Sequence, residues 1–484
     1  MVVASAKSSV NRLIGPLAGM LVVAVARAAS ADEPVSVGEP ELMKETAETT
    51  RVVDAFDRNN AFDVHFLLGF RQEWKSAKVR RETSLNQPGL STGGFVAPTE
   101  NIASYSQSRS ILDLGADIGI YKDLGLTIRF PVIVSDSREL SDLDGAAKNV
   151  ARRSDQDGNP IFSVPFKSPT RSGIDWFSVG LQYAVTNQRR DPSKPTWVIG
   201  GEGRFAIGPR IHACNDNAPV RCPDPVNPSL SRDPGISRGM HAVVLHTTFS
   251  RREGYVEPFV GFRSLLEIPQ GNSDFGATSD LRGALLTRPP LLGTVTLGTE
   301  IFPWENKERY QRLTIDARVS GTYHSRGRDY TELFDALGSS QVPALRSGNP
   351  SSFTLASDGV RSVADPNGQR AFFNGITDQQ SFGSLAMRTG ATWQAGEYVR
   401  FSLGFGLTFA QNHIVTTADA CNPDVKNDLG GSGPCRAAQV SNTPTLVTGI
   451  PNPHYRALID SPGRRFSIDD TMVFDVLATG IVMF

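Results

Sequence analysis

Long apolar runs are scarce in this sequence. After the first thirty residues, no stretch approaches the roughly 18 continuous apolar residues that a membrane-spanning helix requires, and the mean hydropathy is -0.22. A bundle of transmembrane helices is therefore excluded. At 484 residues the chain is also longer than most single soluble domains, which run to about 100–200 residues.

A large charge of one sign is also lacking. The chain carries 49 Lys and Arg against 50 Asp and Glu, for a formal net charge of -1. A nucleic-acid-binding protein needs an excess of basic side chains to neutralise phosphates. We therefore expect no nucleic-acid partner.

Cysteine is rare. The four cysteines form two close pairs, Cys214 with Cys222 and Cys421 with Cys435. Each pair lies in one polar stretch rich in Asn, Asp and Pro, which predicts two loop disulfides in an oxidising compartment. A zinc site is the alternative, but neither pair has the C-x2-C spacing, and only His212 lies within a few residues. We expect neither a metal nor another cofactor.

What the sequence does contain is alternation of apolar and polar residues. From 62 to 70, for example, Phe66 and Leu68 share one face with three other apolar residues, while Asp63 and Arg71 lie on the other. About twelve such segments predict about twelve strands, and a misread hairpin would change the count to ten or fourteen. The segments are 62–70, 112–120, 124–134, 177–185, 197–207, 243–249, 256–266, 295–301, 313–323, 385–393, 399–409 and 472–484.

The connections between these segments alternate between short and long. Five short turns, among them 122–123 and 395–398, are separated by long polar stretches such as 324–382 and 411–470. This alternation predicts an all-β fold, a membrane-spanning up-and-down antiparallel β-barrel with short periplasmic turns and long external loops. Closure satisfies every backbone N–H and C=O in lipid. A soluble β-sandwich would not show this asymmetry.

The end of the sequence carries a family resemblance. Residues 474–484 end in Phe484 and place hydrophobic residues at alternate positions, among them Phe474, Val476 and Val482. They resemble the C-terminal signal of outer-membrane β-barrel proteins of Gram-negative bacteria, although Gly480 is a weaker match. The resemblance implies the bacterial outer membrane as location, contact with its lipid, and recognition by the barrel-assembly machinery. It names a class of porin-like or transporter-like barrels and no particular transporter family.

The N-terminal residues predict export. Lys7 and Arg12 precede a short apolar core, and Ala29-Ser30-Ala31 offers a cleavage site, so we interpret 1–31 as a signal peptide. Its removal would leave 46 basic and 50 acidic side chains, a net charge of -4. Residues 32–60 then form a periplasmic leader with a short helix as one option, and a lumen plug as the alternative. Residues 61–484 form the barrel.

If the apolar face meets lipid, the alternate positions line the lumen. Burying many charges in a dry interior costs roughly several kcal/mol per ion unless they are paired. We therefore expect water or a dense ion-pair network inside, that is, either an open channel or a plugged or gated barrel. The predicted lumen-lining residues are Asp63, His65, Arg71, Asp113, Asp117, Arg129, Glu202, Arg204, Glu257, Arg263, Glu300, Arg312, Asp316, Arg318, Arg388, Arg400 and Asp475.

One loop segment carries helix signals. Residues 329–338 place Asp329 as N-cap, Glu332 three residues later and Gly338 as C-cap. One hypothesis is that this helix folds inward as a constriction, and the alternative is a surface helix on a long loop.

These patterns favour a channel or transporter that passes small solutes through a charged lumen. A surface adhesion or structural role is the alternative, since loops carry recognition. A lipid hydrolase is less favoured, because His65, His246 and His324 are predicted to point inward and the outward His241 has no evident Ser partner. We expect no catalytic residues.

Overall fold

The computed structural model describes most of the chain from residue 47 onward. The described residues are 47–55, 63–82, 98–143, 153–155, 157–215, 222–224, 227, 229–276, 283–355, 362–422 and 450–484. The predicted signal peptide, most of the predicted leader and Cys435 lie outside them.

Twelve long strands form one antiparallel sheet, and each of the twelve predicted segments lies within or largely within one of them. The up-and-down order predicted from the connections is confirmed, since each strand pairs with the next along the chain. The barrel strands are β1 (Val64–Glu82), β2 (Thr99–Tyr121), β3 (Leu124–Ser141), β4 (Trp176–Thr186), β5 (Thr196–Ala206), β6 (Met240–Ser250), β7 (Val256–Pro269), β8 (Leu292–Asn306), β9 (Gln311–His324), β10 (Phe382–Gln394), β11 (Val399–Ala410) and β12 (Phe466–Met483).

The sheet closes on itself through β1 and β12. These strands pair from His65 with Met483 to Arg81 with Phe466. The backbone N–H groups of Val64 and Phe484 donate to each other's carbonyl oxygens at 3.1 and 2.9 Å. Because closure leaves no edge strand, the backbone groups of the wall are satisfied within the wall, which is the requirement for strands in lipid.

The outer surface of the barrel is apolar on every strand. Large apolar side chains stand exposed at alternate positions, to 57% for Leu68 and 59% for Leu297. In water such a continuous exposed apolar surface would drive association, whereas in the hydrocarbon of a membrane it is the surface expected of a barrel. One exposed example from each strand, in chain order, is Phe66, Ile120, Val134, Val179, Phe205, Leu245, Phe262, Leu297, Val319, Met387, Phe405 and Phe474.

The two ends of the barrel differ. At one end, called the turn end, short connections join the strands, including the Lys122–Asp123 turn and the 3-10 helix Lys307–Arg309. At the other, called the loop end, long connections carry the helices α1 (Phe334–Gly338), α2 (Pro343–Arg346) and α3 (Ala457–Asp460). No helix in the described ranges is long and apolar enough to cross a membrane.

Short strands also pair within these long connections. Gly327–Asp329 pairs with Thr377–Gln379, for example, which ties the two ends of one connection together. The remaining short strands are Phe166–Lys167, Arg171–Ile174, Cys222–Pro223, Ser231–Arg232, Asn349–Pro350, Phe353–Leu355, Ser362–Ala364, Arg370–Ala371, His413–Ile414, Cys421–Asn422 and Ile450–Pro451.

Four neighbouring strands rise beyond the membrane at the loop end. β12, β1, β2 and β3 have 18 to 23 residues, whereas about 9–11 tilted residues span the hydrocarbon. Their loop-end halves join the long connections around a buried apolar core, and we call this assembly the cap. Core residues from the strands include Val79, Ile102 and Phe466, and those from the connections include Leu337 and Ile459.

Candidate functional site: the barrel lumen

The inner wall of the barrel is polar. The seventeen residues predicted to line the lumen lie at strand positions that alternate with the outer apolar side chains, with Asp63 just before β1. Glu257 and Arg400, for example, are 0% and 3% exposed, while their strand neighbours Val256 and Phe401 are exposed on the outer surface.

Most of these wall charges are paired with each other. Arg71 Nη2 lies 2.7 Å from Asp113 Oδ2, and Arg129 Nη1 lies 2.6 Å from Asp117 Oδ1. Pairing offsets the cost of removing each charge from water. Further pairs are Arg204 with Glu202 at 2.8 Å, Arg318 with Asp316 at 3.4 Å and Arg388 with Asp475 at 3.0 Å.

Residues 47–55, called the inner segment, lie against this wall near the turn end. The backbone N–H of Ala47 donates to Glu257 Oε1 at 2.9 Å, and that of Glu48 donates to Glu300 Oε1 at 2.9 Å. The Thr50 and Ser250 hydroxyls are hydrogen-bonded at 2.8 Å. Two buried glutamates thus accept hydrogen bonds from the backbone of the inner segment.

The inner segment continues along the wall to the first turn. Ala55 and Lys122 exchange backbone hydrogen bonds of 3.2 and 2.8 Å, and Asp54 pairs with Arg189 at 3.1 Å. Gly119 has no side chain at this contact, and a Cβ there would lie 1.8 Å from the Asp54 carbonyl oxygen. The described residues form a turn followed by chain without regular secondary structure that ends in a bridge at Ala55, within the range 32–60 for which the sequence suggests a leader.

A second element approaches the lumen from the loop end. The predicted helix at 329–338 is wrong in its start, because α1 begins at Phe334 and Leu333 is its N-cap without a side-chain bond. The two acidic side chains expected to cap this helix form ion pairs with other parts of the chain instead. Asp329 pairs with Arg238 at 2.5 Å, and Glu332 pairs with Lys75 at 2.5 Å.

The segment 329–338 is an interior part of the cap rather than a surface helix. Leu333 and Phe334 are fully buried. Asp335 accepts two hydrogen bonds from the buried Arg171 guanidinium, at 2.6 and 2.9 Å. It also accepts the backbone N–H of Cys214 at 3.0 Å.

One predicted cysteine pair lies beside this contact. Cys214 and Cys222 form a disulfide, which fixes the local chain that presents the Cys214 N–H to Asp335. The second predicted pair is outside the described residues, because Cys435 is not among them.

A cavity of about 550 Å³ lies within the lumen beneath segment 329–332. Its wall combines charged side chains with aromatic faces, including Tyr105, Trp176 and Tyr330. Phe382 also lines it, stacked between His324 and His413 with ring centroids 4.2 and 3.8 Å apart. We call this cavity the chamber. The alternation predicted which strand positions face inward, but not the loop residues that roof the chamber.

Within the described ranges, no group of three or more His, Cys, Asp or Glu side chains could hold a metal ion.

Comparisons with known proteins give structural neighbours only. No family model matches the chain. No curated protein matches it. Among solved structures, an outer membrane channel from Pseudomonas putida F1 is 9% identical, with 87% of this chain and 95% of that chain covered and a TM-score of 0.34. A FadL homologue from Pseudomonas aeruginosa is 8% identical, with coverage of 87% and 90% and a TM-score of 0.30.

A third neighbour is an outer membrane protease from Escherichia coli, 8% identical, with coverage of 90% and 100% and a TM-score of 0.27. All three TM-scores are below 0.5. The assignment to the bacterial outer membrane rests on the closed antiparallel wall, with its apolar surface on all twelve strands and its alternation of short turns and long loops.

Proposed function

We propose that this outer-membrane barrel is a channel or transporter for small solutes, without catalytic activity, and that its lumen is gated at both ends. The observation that carries the proposal is the chamber of about 550 Å³, which lies inside a charge-paired wall. The cap roofs it at the loop end, and the inner segment occupies the lumen at the turn end. Opening either closure would join the chamber to solvent.

The outer surface supports two partners in this proposal. The apolar side chains of all twelve strands would contact outer-membrane lipid. Phe484 is 65% exposed while its backbone closes the barrel against Val64. Its ring, together with the outward-facing side chains of Phe474 and Val482, is therefore accessible to the barrel-assembly machinery.

The balance of charge in the wall predicts weak ion selectivity. Acids and bases of the lumen are paired at short distance, so neither sign dominates the field that a passing ion meets. In planar bilayers under a salt gradient, we expect a reversal potential close to zero. Liposome swelling with uncharged sugars of graded size would measure the passage of neutral solutes.

Strong preference for either ion sign would contradict the prediction of weak selectivity. Absence of solute passage, even in variants that displace the cap or the inner segment, would contradict the channel proposal. A heat-modifiable band shift on gels provides the control that each reconstituted preparation is a folded barrel.

The cap should respond to pH through Asp460 in α3. Its carboxylate accepts the backbone N–H groups of Arg456 at 2.7 Å and Ala418 at 3.2 Å. Burial, followed by the charge of Asp378, raises the pKa of Asp460 to about 7, although these two hydrogen bonds and the charge of Arg328 lower it. A carboxyl in an unfolded chain titrates near about 3.9.

The direction of the pH effect on the cap follows from the difference between the pKa of Asp460 in the packed cap and in an unfolded chain. A raised pKa means that the packed cap binds the proton more tightly than the opened one. The stabilisation is therefore complete at acidic pH and is lost as the pH rises from about 4 to about 7. We expect several-fold higher open probability at pH 8 than at pH 5 in single-channel recordings.

Asp460→Asn is the matched control for the pH effect, because it removes the titrating group and keeps the shape. This variant should show a flatter dependence between pH 5 and pH 8. The burial of Asp378 also raises its pKa and contributes with the same sign. An open probability that rises on acidification would contradict the assignment.

A further inference from the structure

The chamber carries equal numbers of opposite charges. Five basic and five acidic side chains line it, apart from histidine. Four of the five bases are in ion pairs. Lys75 pairs with Glu332, Arg138 with Asp136, Arg204 with Glu202 outside the chamber lining, and Arg238 with both Glu267 and Asp329.

The fifth base, Arg109, has no carboxylate within ion-pair distance among the described residues. Its Nε is buried and has no hydrogen-bond partner. Asp136 lies opposite Arg109 in the β2–β3 register, but Arg138 engages that carboxylate at 2.7 Å and Gln107 donates to it at 2.7 Å. Arg109 is thus the one base of the chamber wall that forms no ion pair with the described residues, although its charge acts on Asp136.

The chamber also has one acid outside any ion pair with the described residues, Asp175. Its carboxylate accepts a hydrogen bond from the Ser237 hydroxyl, and the charges of Arg109 and Arg238 act on it. The one unpaired cation and the one unpaired carboxylate of the wall therefore face the same space, without contacting each other at ion-pair distance.

An apolar and aromatic wall lies beside these two charges. Trp176 follows Asp175 in the chain, and the Arg204 guanidinium lies 4.5 Å from the centroid of its ring. Ile133, Ile236 and Leu265 add aliphatic surface. The volume of about 550 Å³ falls within the roughly 300–1,000 Å³ typical of small-molecule sites.

We propose that the chamber binds a zwitterionic amino acid with an aromatic or large apolar side chain. The Arg109 guanidinium would donate to its carboxylate, its ammonium would donate to Asp175, and its side chain would lie against Trp176. A ligand with a single charge would satisfy one of these groups and leave the other unpaired. This inference rests on the proposed channel function and names the solute class.

Calorimetric titration of the purified full chain in detergent tests the inference. The probes are L-phenylalanine, 3-phenylpropionate, which lacks the ammonium, and 2-phenylethylamine, which lacks the carboxylate. We expect saturable binding of L-phenylalanine at least about tenfold tighter than of either partial probe, because each charge-assisted hydrogen bond is lost separately.

Two substitutions separate the two charges. Arg109→Gln should weaken the binding of L-phenylalanine about tenfold without weakening that of 2-phenylethylamine. Asp175→Asn should weaken the binding of L-phenylalanine without weakening that of 3-phenylpropionate. Lys194→Gln, at an exposed ion pair in a turn-end connection, is the control and should bind L-phenylalanine as the unsubstituted chain does. The comparison of probes on the unsubstituted chain does not depend on whether a variant folds.

Three results would overturn the inference. The first is no saturable binding of L-phenylalanine, and the second is equal affinity of the unsubstituted chain for all three probes. The third is equal affinity for L-phenylalanine in both charge variants and the control. If neutral sugars still enter liposomes, the channel proposal stands while the ligand assignment fails. If L-phenylalanine binds as expected but no solute crosses even with the lumen opened, the binding site stands and the channel proposal fails.

Discussion

Substitution of Asp335 by alanine should release the cap and raise single-channel conductance several-fold. Asp335 and Arg171 are 4% and 2% exposed and joined by two hydrogen bonds. Removal of the carboxylate leaves a buried guanidinium without its counter-charge, which costs about 3–5 kcal/mol. It also removes the acceptor for the Cys214 N–H. Conductance in planar bilayers measures the opening, and limited proteolysis of the loops measures the loosening.

Asp419→Ala is the matched control for this substitution. Asp419 pairs with Arg326 at 2.5 Å in the same cap, but both side chains are more than 40% exposed. Exposed ion pairs contribute about 0–1 kcal/mol, so conductance should remain close to that of the unsubstituted chain. Equal conductance in Asp335→Ala and Asp419→Ala would show that the buried pair does not hold the cap closed.

The second large effect is expected at Gly119, on the inner wall near the turn end. In Gly119→Ala, the new Cβ would lie 1.8 Å from the Asp54 carbonyl oxygen, far inside van der Waals contact. A strand in a closed barrel cannot move outward, away from the inner segment, without breaking its hydrogen bonds to both neighbouring strands. The inner segment must therefore move, and we expect it to leave the lumen. Conductance should rise several-fold, with faster liposome swelling.

Gly404→Ala supplies the control for Gly119→Ala. Gly404 also faces inward, on β11, and a Cβ there would meet only the Thr389 carbonyl oxygen at 3.7 Å, an ordinary contact. The conductance of the Gly404→Ala variant should match that of the unsubstituted chain. If Gly119→Ala folds and conducts no more than Gly404→Ala, the inner segment does not close the lumen.

The barrel itself could be predicted from sequence because its cause is local and repeated. Lipid outside and polar groups inside impose period two on every strand, so a short window such as 62–70 already identifies the two faces. The predicted segment 399–409 matches β11 (Val399–Ala410) almost to the residue. The predicted segment 62–70 covers less than half of β1, since above the membrane the outer face of this strand no longer needs to be apolar.

The two closures appear in the sequence only as alternatives, a lumen plug within 32–60 and a constriction at 329–338, and the contacts that hold them could not be predicted. The inner segment is held by its backbone N–H groups, which carry no sequence signature, and their acceptors Glu257 and Glu300 lie 210 and 252 residues away. Glycine at 119 is the sequence signal at this contact, but the alternation indicates only that it lies on the inner wall, not what lies against it. At the cap, long-range ion pairs of Asp329 and Glu332 outcompete the local helix capping that their spacing favours.

The unequal height of the wall has a mechanical consequence. The four tall strands β12, β1, β2 and β3 are contiguous, whereas the other eight have 11 to 15 residues. On the tall side the cap shares the larger apolar cluster, of 21 residues, while a separate cluster of six, including Met240 and Phe334, holds it near β6. Breaking the smaller cluster exposes less surface to water. We therefore expect the cap to open by separating from β6, where the smaller cluster lies, while it stays attached to the four tall strands.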